Sequence, residues 1–199
     1  MSISYEKTGR TNQKARTRGA LVAAARELLA GGATPTVEQA ADAAQVARAT
    51  AYRYFPNRRA LLVATYPEID QPSLLSESAG SDPADRLDAV AASITRQMLQ
   101  HETELRTMLR LSLDPDPAQR GDLPLRKGRR ITWVADALAP LGDQLSEAEL
   151  ERLVHAIAAV IGIETLVWLT DIAGYSRDEA TELMRWSARS LLDAALADR

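Results

Sequence analysis

Apolar residues recur at helical spacing along most of this 199-residue chain, and no stretch shows the sustained alternation typical of a strand. Glycines, prolines and short polar turns interrupt the pattern. The segments between them predict helices over residues 11–30, 36–44, 47–54, 58–65, 84–101, 103–112, 124–140, 147–173 and 177–197. The sequence therefore predicts an all-α fold.

A linker is predicted over residues 67–83, which hold three prolines and many Ser, Asp and Glu residues. It separates an N-terminal domain, residues 1–66, from a C-terminal domain, residues 84–199. Within the first helix, the residues predicted to face inward are Ala20, Leu21, Ala24 and Leu28. The Thr36 hydroxyl is predicted to cap the second helix.

Charge is distributed unevenly between these domains. Residues 1–65 hold ten Lys or Arg and four Asp or Glu, a formal charge of +6, so the remainder carries −9 of the total of −3. Clustered Lys and Arg bind polyanions by displacing counterions from phosphate. The pattern favours a nucleic-acid-binding N-terminal domain, and the alternative is a flexible basic tail that faces solvent.

The helices at 36–44 and 47–54 are short and joined only by Gln45 and Val46, which is the layout of a helix-turn-helix. In the second of them, the residues predicted to pack inward are Ala47, Ala51 and Phe55. The residues predicted to face outward are Arg48, Thr50, Tyr52, Arg53 and Tyr54. Arginine can bond guanine edges, and hydroxyl groups can reach phosphate oxygens, so this outer set suits DNA. The alternative is a helical hairpin whose arginines only face water.

The run from Val46 to Leu62, VARATAYRYFPNRRALL, resembles the recognition helix and the following helix of the TetR family of transcriptional regulators. Residues 23–32 and 36–41 resemble the first two helices of that family at the proper spacing. The resemblance implies phosphate contacts from Thr36, Thr50, Tyr52, Tyr54 and Arg58, base contacts from around Arg48, Ala49 and Arg53, and a basic arm, residues 7–18, near the DNA backbone or minor groove.

Three residues depart from the family pattern. Gln45 stands where a turn glycine is usual, Ala47 where a capping serine is common, and Ala33 where an aromatic residue usually follows the glycine. The non-glycine turn and the missing cap are each expected to cost about 1 kcal/mol. The predicted DNA-binding domain is therefore less rigid than most of its relatives.

The resemblance also implies that residues 84–199 bind a small-molecule effector and form a homodimer through the helices at 147–173 and 177–197. The first of these is apolar on every side, so a partner subunit is expected to cover one face, the alternative being a monomer with a large core. Two DNA-binding heads would then read a near-palindromic operator in double-stranded DNA.

A ligand pocket is predicted among residues 84–140 and the helix at 147–173. Its candidate residues are Met98, His101, Met108, Trp133, Glu164 and Trp168, each of which could instead be ordinary core. A basic cluster, Arg126, Lys127, Arg129 and Arg130, could receive an anionic effector or could face solvent.

Enzyme chemistry is not expected, because the chain has no cysteine, no nucleophile motif and no phosphate-binding glycine loop. The two histidines lack metal-ligand spacing, and no cofactor is expected. The first 18 residues hold no apolar core of signal-peptide length, so secretion is not expected, and the apolar stretch at 156–169 falls short of the ~20 residues that a spanning helix needs. We therefore expect a cytoplasmic protein with no membrane partner.

Together these features predict a sequence-specific repressor that a small, largely apolar effector releases from DNA. Within regulation, the alternative is an activator or a repressor without a small-molecule switch. Outside regulation, it is a helical ligand carrier or protein-interaction module that binds DNA weakly and without sequence preference.

Overall fold

The computed structural model describes residues 3–65, 71–113 and 129–197, and these residues form helices and no strand. The all-α prediction is thereby confirmed. Predictions that fall on residues 67–70 and 124–128, including those for Arg126 and Lys127, lie outside the described residues. The chain divides into two compact units. The head unit comprises Met1–Ile69 with Thr107–Leu125, and the body unit comprises Asp70–Arg106 with Arg126–Arg199.

These units differ from the predicted domains in one respect. Residues 107–113, which the sequence places in the C-terminal domain, group with the head unit. Within that unit, Thr107 and Arg110 donate hydrogen bonds to the carbonyls of Leu29 and Gly32 at 3.5 and 2.7 Å. These contacts join residues far apart in sequence, so helical periodicity does not indicate them.

The head unit contains four helices in its N-terminal part: α1 Ile3–Ala30, α2 Val37–Ala43, α3 Arg48–Tyr54 and α4 Arg58–Ala64. Helix α1 begins before the predicted start at residue 11, since residues 3–10 hold no proline to break it. It packs against the other three helices. The basic arm predicted over residues 7–18 therefore lies wholly within α1.

A small apolar core holds these helices together. Its buried residues are Leu21, Val22, Ala25, Val37, Ala40, Ala41, Ala51, Phe55 and Leu61. In the inward stripe predicted for α1, Leu21 and Ala24 are buried, but Leu28 is only half-buried and Ala20 is exposed. The buried face of α1 is therefore displaced from the predicted stripe, and three helices contact α1.

Both turns around α2 use the same backbone motif. After α1, the Ala33 amide donates to the Leu28 carbonyl and the Gly32 amide to the Leu29 carbonyl, with Gly32 at φ +81. This is a Schellman motif, which needs a left-handed residue after the helix. After α2, the Val46 amide donates to the Ala41 carbonyl at 2.9 Å, and the left-handed residue is Gln45 at φ +54. A glutamine thus occupies a conformation that favours glycine.

The caps of α2 and α3 differ as the sequence predicts. Thr36 caps α2, accepting a hydrogen bond from the Gln39 amide at 3.2 Å, while the Gln39 side chain accepts from the Thr36 amide at 2.8 Å. Ala47 precedes α3 and offers no side-chain cap. The helix that the sequence assigns to DNA therefore begins after a strained turn and without a cap.

The body unit contains α5 Pro83–Gln100, the first residues of α6 Glu102–Ser112, α7 Arg129–Leu138, α8 Glu147–Val160, α9 Ile163–Val167 and α10 Arg177–Ala197. A short 3-10 helix, Ala139–Leu141, follows α7, and a π-helical turn, Trp168–Ile172, follows α9. Helices α5 and α8 each pack against both α7 and α10. The body core therefore lies among these four helices.

The single helix predicted over residues 147–173 is wrong, because the chain breaks at Gly162. This residue is extended and buried, and the Arg130 guanidinium lies against it. A Cβ added at Gly162 would meet Arg130 Nη1 at 1.5 Å, so a larger residue there would require the flexible end of the Arg130 side chain to move. The same guanidinium pairs with the Glu164 carboxylate at 3.2 Å. The break thus lies against a side chain from α7.

The stretch Glu147–Ile172 is long and apolar enough to cross a membrane by length and composition, with a mean hydropathy of 1.9. In this structure 44% of its most apolar window is buried inside the protein. The core helix of a soluble protein passes the same test, so the stretch is weak support for a membrane span.

A charge network joins α6, the π-helical turn and α10 within the body unit. Arg106 binds Asp171 through two hydrogen bonds of 2.5 and 2.8 Å and Glu102 through one of 2.7 Å. Arg177 also binds Glu102. The hydrogen bonds from Arg106 lower the pKa of Asp171 to about 2. Burial acts to raise the pKa of Glu102, but its two arginines outweigh burial and hold it below the usual value.

The left-handed turn residues give a matched pair of stability predictions. We expect Gln45→Gly to raise the free energy of unfolding by about 0.5–1 kcal/mol, since glycine relieves the strain of a positive φ. We expect Gly32→Ala to lower it by about 1 kcal/mol through the backbone alone, because no atom lies within 4 Å of the added Cβ. Urea unfolding followed by circular dichroism measures both. Destabilisation by Gln45→Gly would contradict the strain at this turn.

Candidate nucleic-acid interface

Helix α3 is held by two side chains on its inner face. Ala51 and Phe55 are buried, with exposed fractions of 0 and 2%. Ala47, which the sequence places on the same inner face, is exposed instead. It precedes the first helical turn, so helical spacing does not apply to its side chain. Two buried anchors are nevertheless enough to fix which face of α3 is turned outward.

The outward face of α3 carries the residues that the sequence assigns to DNA. Arg48, Ala49, Tyr52 and Arg53 are exposed, and their i, i+1, i+4, i+5 spacing puts them on one face. Thr50 and Tyr54 are half-buried beside this face, and Tyr54 packs against the head core. The structure thus gathers donors of three kinds, guanidinium, phenol and aliphatic hydroxyl, along a single helix.

Arg18 of α1 adds an interaction that the sequence did not single out. Its guanidinium carbon lies 5.4 Å from the centre of the Phe55 ring, which is the geometry of a cation–π contact. Phe55 is also the inner anchor of α3. A residue of the expected basic arm therefore helps to hold the candidate interface.

Arg58 has a bracing contact in addition to its predicted place near DNA. Its Nη2 donates to the Thr34 carbonyl at 2.7 Å, which ties α4 to the loop before α2. Arg59, the next residue, is exposed. Asn57 caps α4 by accepting a hydrogen bond from the Ala60 amide at 2.8 Å. Arg58 and Arg59 carry the same charge. In the structure they differ, because Arg58 bonds the Thr34 carbonyl and Arg59 is exposed to solvent.

Two acids of α2 contact the outward face of α3. The Tyr52 hydroxyl donates to the Glu38 carboxylate, and the Arg48 guanidinium pairs with Asp42 at 3.4 Å. The hydrogen bond from Tyr52 lowers the pKa of Glu38, and the same bond raises the pKa of Tyr52. Sequence analysis missed this arrangement, although both the acids and their donors are spaced at i, i+4.

The residues predicted to line a ligand pocket lie in different surroundings. Met98 and Trp133 are buried in the body core, and the Trp133 indole donates to the Gln71 carbonyl at 2.8 Å. His101 is half-buried, and Glu164 pairs with Arg130. Trp168 is 54% exposed, so it does not line an interior cavity of this chain.

Met108 is buried and belongs to the head unit. The six candidates therefore do not gather into one site within the body unit. Among the described residues, no group of three His, Cys, Asp or Glu side chains could hold a metal ion.

The region that holds the candidate interface resembles that of known proteins. Residues 21–65, which hold the helix-turn-helix, match the family model described as bacterial regulatory proteins of the tetR family. A TetR transcriptional regulator from Rhodococcus sp. RHA1 is similar over 90% of this chain and 97% of its own, with 24% identity and a TM-score of 0.52. A tetR-family transcriptional regulator from Streptomyces coelicolor is similar over 92% of this chain and 83% of its own, with 18% identity and a TM-score of 0.67.

No curated protein matches the chain significantly. The resemblance to the TetR family is confirmed by the family match in the N-terminal region, and the fold of the chain is shared with TetR-family regulators.

The neighbouring arginines of α4 give a second prediction. We expect Arg58→Ala to lower the free energy of unfolding by about 1–3 kcal/mol, because it removes a charged donor from the Thr34 carbonyl. Arg59→Ala, which removes the same charge from an exposed position, is expected to stay within about 0.5 kcal/mol of the parent. Urea unfolding of both variants makes the comparison. Equal effects would show that the Arg58 contact contributes nothing.

Proposed function

We propose that this chain, with its TetR-type N-terminal region and fold, is a repressor that binds double-stranded DNA as a dimer and is released by a small, largely apolar effector. The observation that carries the proposal is the exposed face of α3, where Arg48, Tyr52 and Arg53 stand together on a helix anchored from within. A helix so presented fits the major groove of DNA.

The proposed division of contacts follows the position of each residue. Arg48, Ala49 and Arg53 face base edges, because they stand on the exposed face of α3. The hydroxyls of Thr36, Thr50, Tyr52 and Tyr54, together with Arg58, face phosphates on either side of the groove. The proposed regulator acts in the cytoplasm.

The proposed homodimer forms through the segments at 147–173 and 177–197. Several large apolar side chains of these segments are exposed in the single chain: Trp168 at 54%, Ile172 at 71% and Trp186 at 65%. Exposed aromatic groups of this size are typical of surfaces that bind another protein. A two-fold dimer presents two heads to the halves of a near-palindromic operator.

The proposed effector binds the body unit. Buried Met98 and Trp133 supply adaptable apolar surface, while half-buried His101 and Glu164 supply polar groups near the core. The effector is proposed to bind more tightly to a conformation in which the two heads are poorly spaced for the operator. Such an effector weakens DNA binding, and DNA weakens effector binding by the same factor. Release from the operator then follows from this coupling.

The DNA contact is tested by substitutions that leave the head core intact. We expect Arg53→Ala combined with Tyr52→Phe to weaken binding to operator DNA by about tenfold or more, because each side chain contributes a charged or polar contact. The operator is obtained by selecting bound duplexes from a random pool. Fluorescence anisotropy over a salt series measures the affinity, which we expect to fall steeply with salt.

A matched control is Arg96→Ala, which removes an exposed arginine from α5 of the body unit. We expect this variant to bind DNA as the parent does. If a folded parent chain bound no duplex at low salt, or if the α3 variant bound as tightly as the control, the proposed function would be wrong.

A further inference from the structure

Helix α2 places two carboxylates where DNA would have to approach. Glu38 and Asp42 are four residues apart, and so are their partners on α3, Tyr52 and Arg48. All four therefore lie on adjoining helix faces and form two parallel contacts. These contacts are open to solvent: the side chains of Arg48 and Asp42 are 67% and 64% exposed, and Tyr52 is 42% exposed.

A carboxylate oxygen and a phosphate oxygen are both anionic acceptors, and they compete for the same donors. The Tyr52 hydroxyl has one proton to donate, and it donates that proton to Glu38 in the free protein. It cannot donate to a phosphate until this bond is broken. Arg48 has more donors and pairs with Asp42 at 3.4 Å in an exposed position, so this contact competes with DNA more weakly.

We infer that Glu38 and Asp42 compete with DNA inside the free head: Glu38 stands in for a phosphate at Tyr52, Asp42 holds Arg48 from the base edges, and both must release their partners when DNA binds. This inference rests on the proposed function of α3. The Glu38 bond restrains binding to DNA of every sequence, since the competing phosphates are the same on all sequences. Tight binding then requires a duplex whose base edges make further contacts with α3.

The experiment is a double-mutant cycle on Glu38 and Tyr52 in the full-length chain. The probe is a mixed-sequence DNA duplex, and affinity is measured by fluorescence anisotropy at low salt. We expect Glu38→Gln to tighten binding by about threefold for each head, the strength typical of an exposed pair, and hence by about tenfold for two heads. In the Tyr52→Phe background the competing hydrogen bond is already absent. We therefore expect Glu38→Gln to give little or no gain in DNA affinity there.

The cycle separates competition from simple charge repulsion. Glu77→Gln, an exposed acid in a loop of the body unit, removes the same charge far along the sequence and serves as the control. An equal gain from Glu38→Gln with and without the Tyr52 hydroxyl would mean that Glu38 only repels DNA, and the inference would be overturned. Weaker binding by Glu38→Gln would mean that Glu38 positions Tyr52 for DNA, which overturns it as well.

A measurement without DNA tests the contact itself. The hydrogen bond from Tyr52 is the largest cause of the lowered pKa of Glu38, so Tyr52→Phe is expected to raise that pKa toward its ordinary value. Carbon NMR of the labelled Glu38 carboxyl group follows the titration. An unchanged pKa would overturn the inference. By contrast, a parent chain that binds no duplex at all would contradict the proposed function.

Discussion

The burial of Ala51 and Phe55 is the constraint on which the rest of the head depends. These two side chains rotate α3 so that its polar face points outward, and the DNA contacts proposed for α3 follow from that rotation. Arg18 reinforces the anchor from α1 through the face of the Phe55 ring. The chemistry of the interface is therefore set by apolar packing on the opposite side of the helix.

Two residues at the start of α3 reduce its local stability. Gln45 adopts a left-handed conformation, and Ala47 leaves the helix without a side-chain cap. Both residues weaken the start of α3, the helix proposed to fit the groove of DNA. The acids of α2 are proposed to hold the donors of α3 until DNA replaces them. The head unit is therefore fixed at its core and adjustable at its surface.

Sequence patterns predict the all-α fold, the limits of α3, the Thr36 cap and the unusual turn at Gln45, because each depends on residues close together in the chain. Features that depend on distant partners are different. At the helix break, Gly162 lies against Arg130 from α7, and the Tyr52 bond requires an acid from another helix. No local period carries such information. For the same reason, the sequence alone does not establish which of the predicted pocket residues share one site, and their role stays a prediction.

Hydrogen–deuterium exchange of the full-length chain, with and without its selected operator duplex, tests the central claim most directly. If α3 enters the groove, peptides that cover residues 36–58 will exchange more slowly when DNA is bound, and peptides from the body unit outside its dimer segments will change little. Protection that is absent from residues 36–58, or that falls on another surface of the chain, would contradict the account.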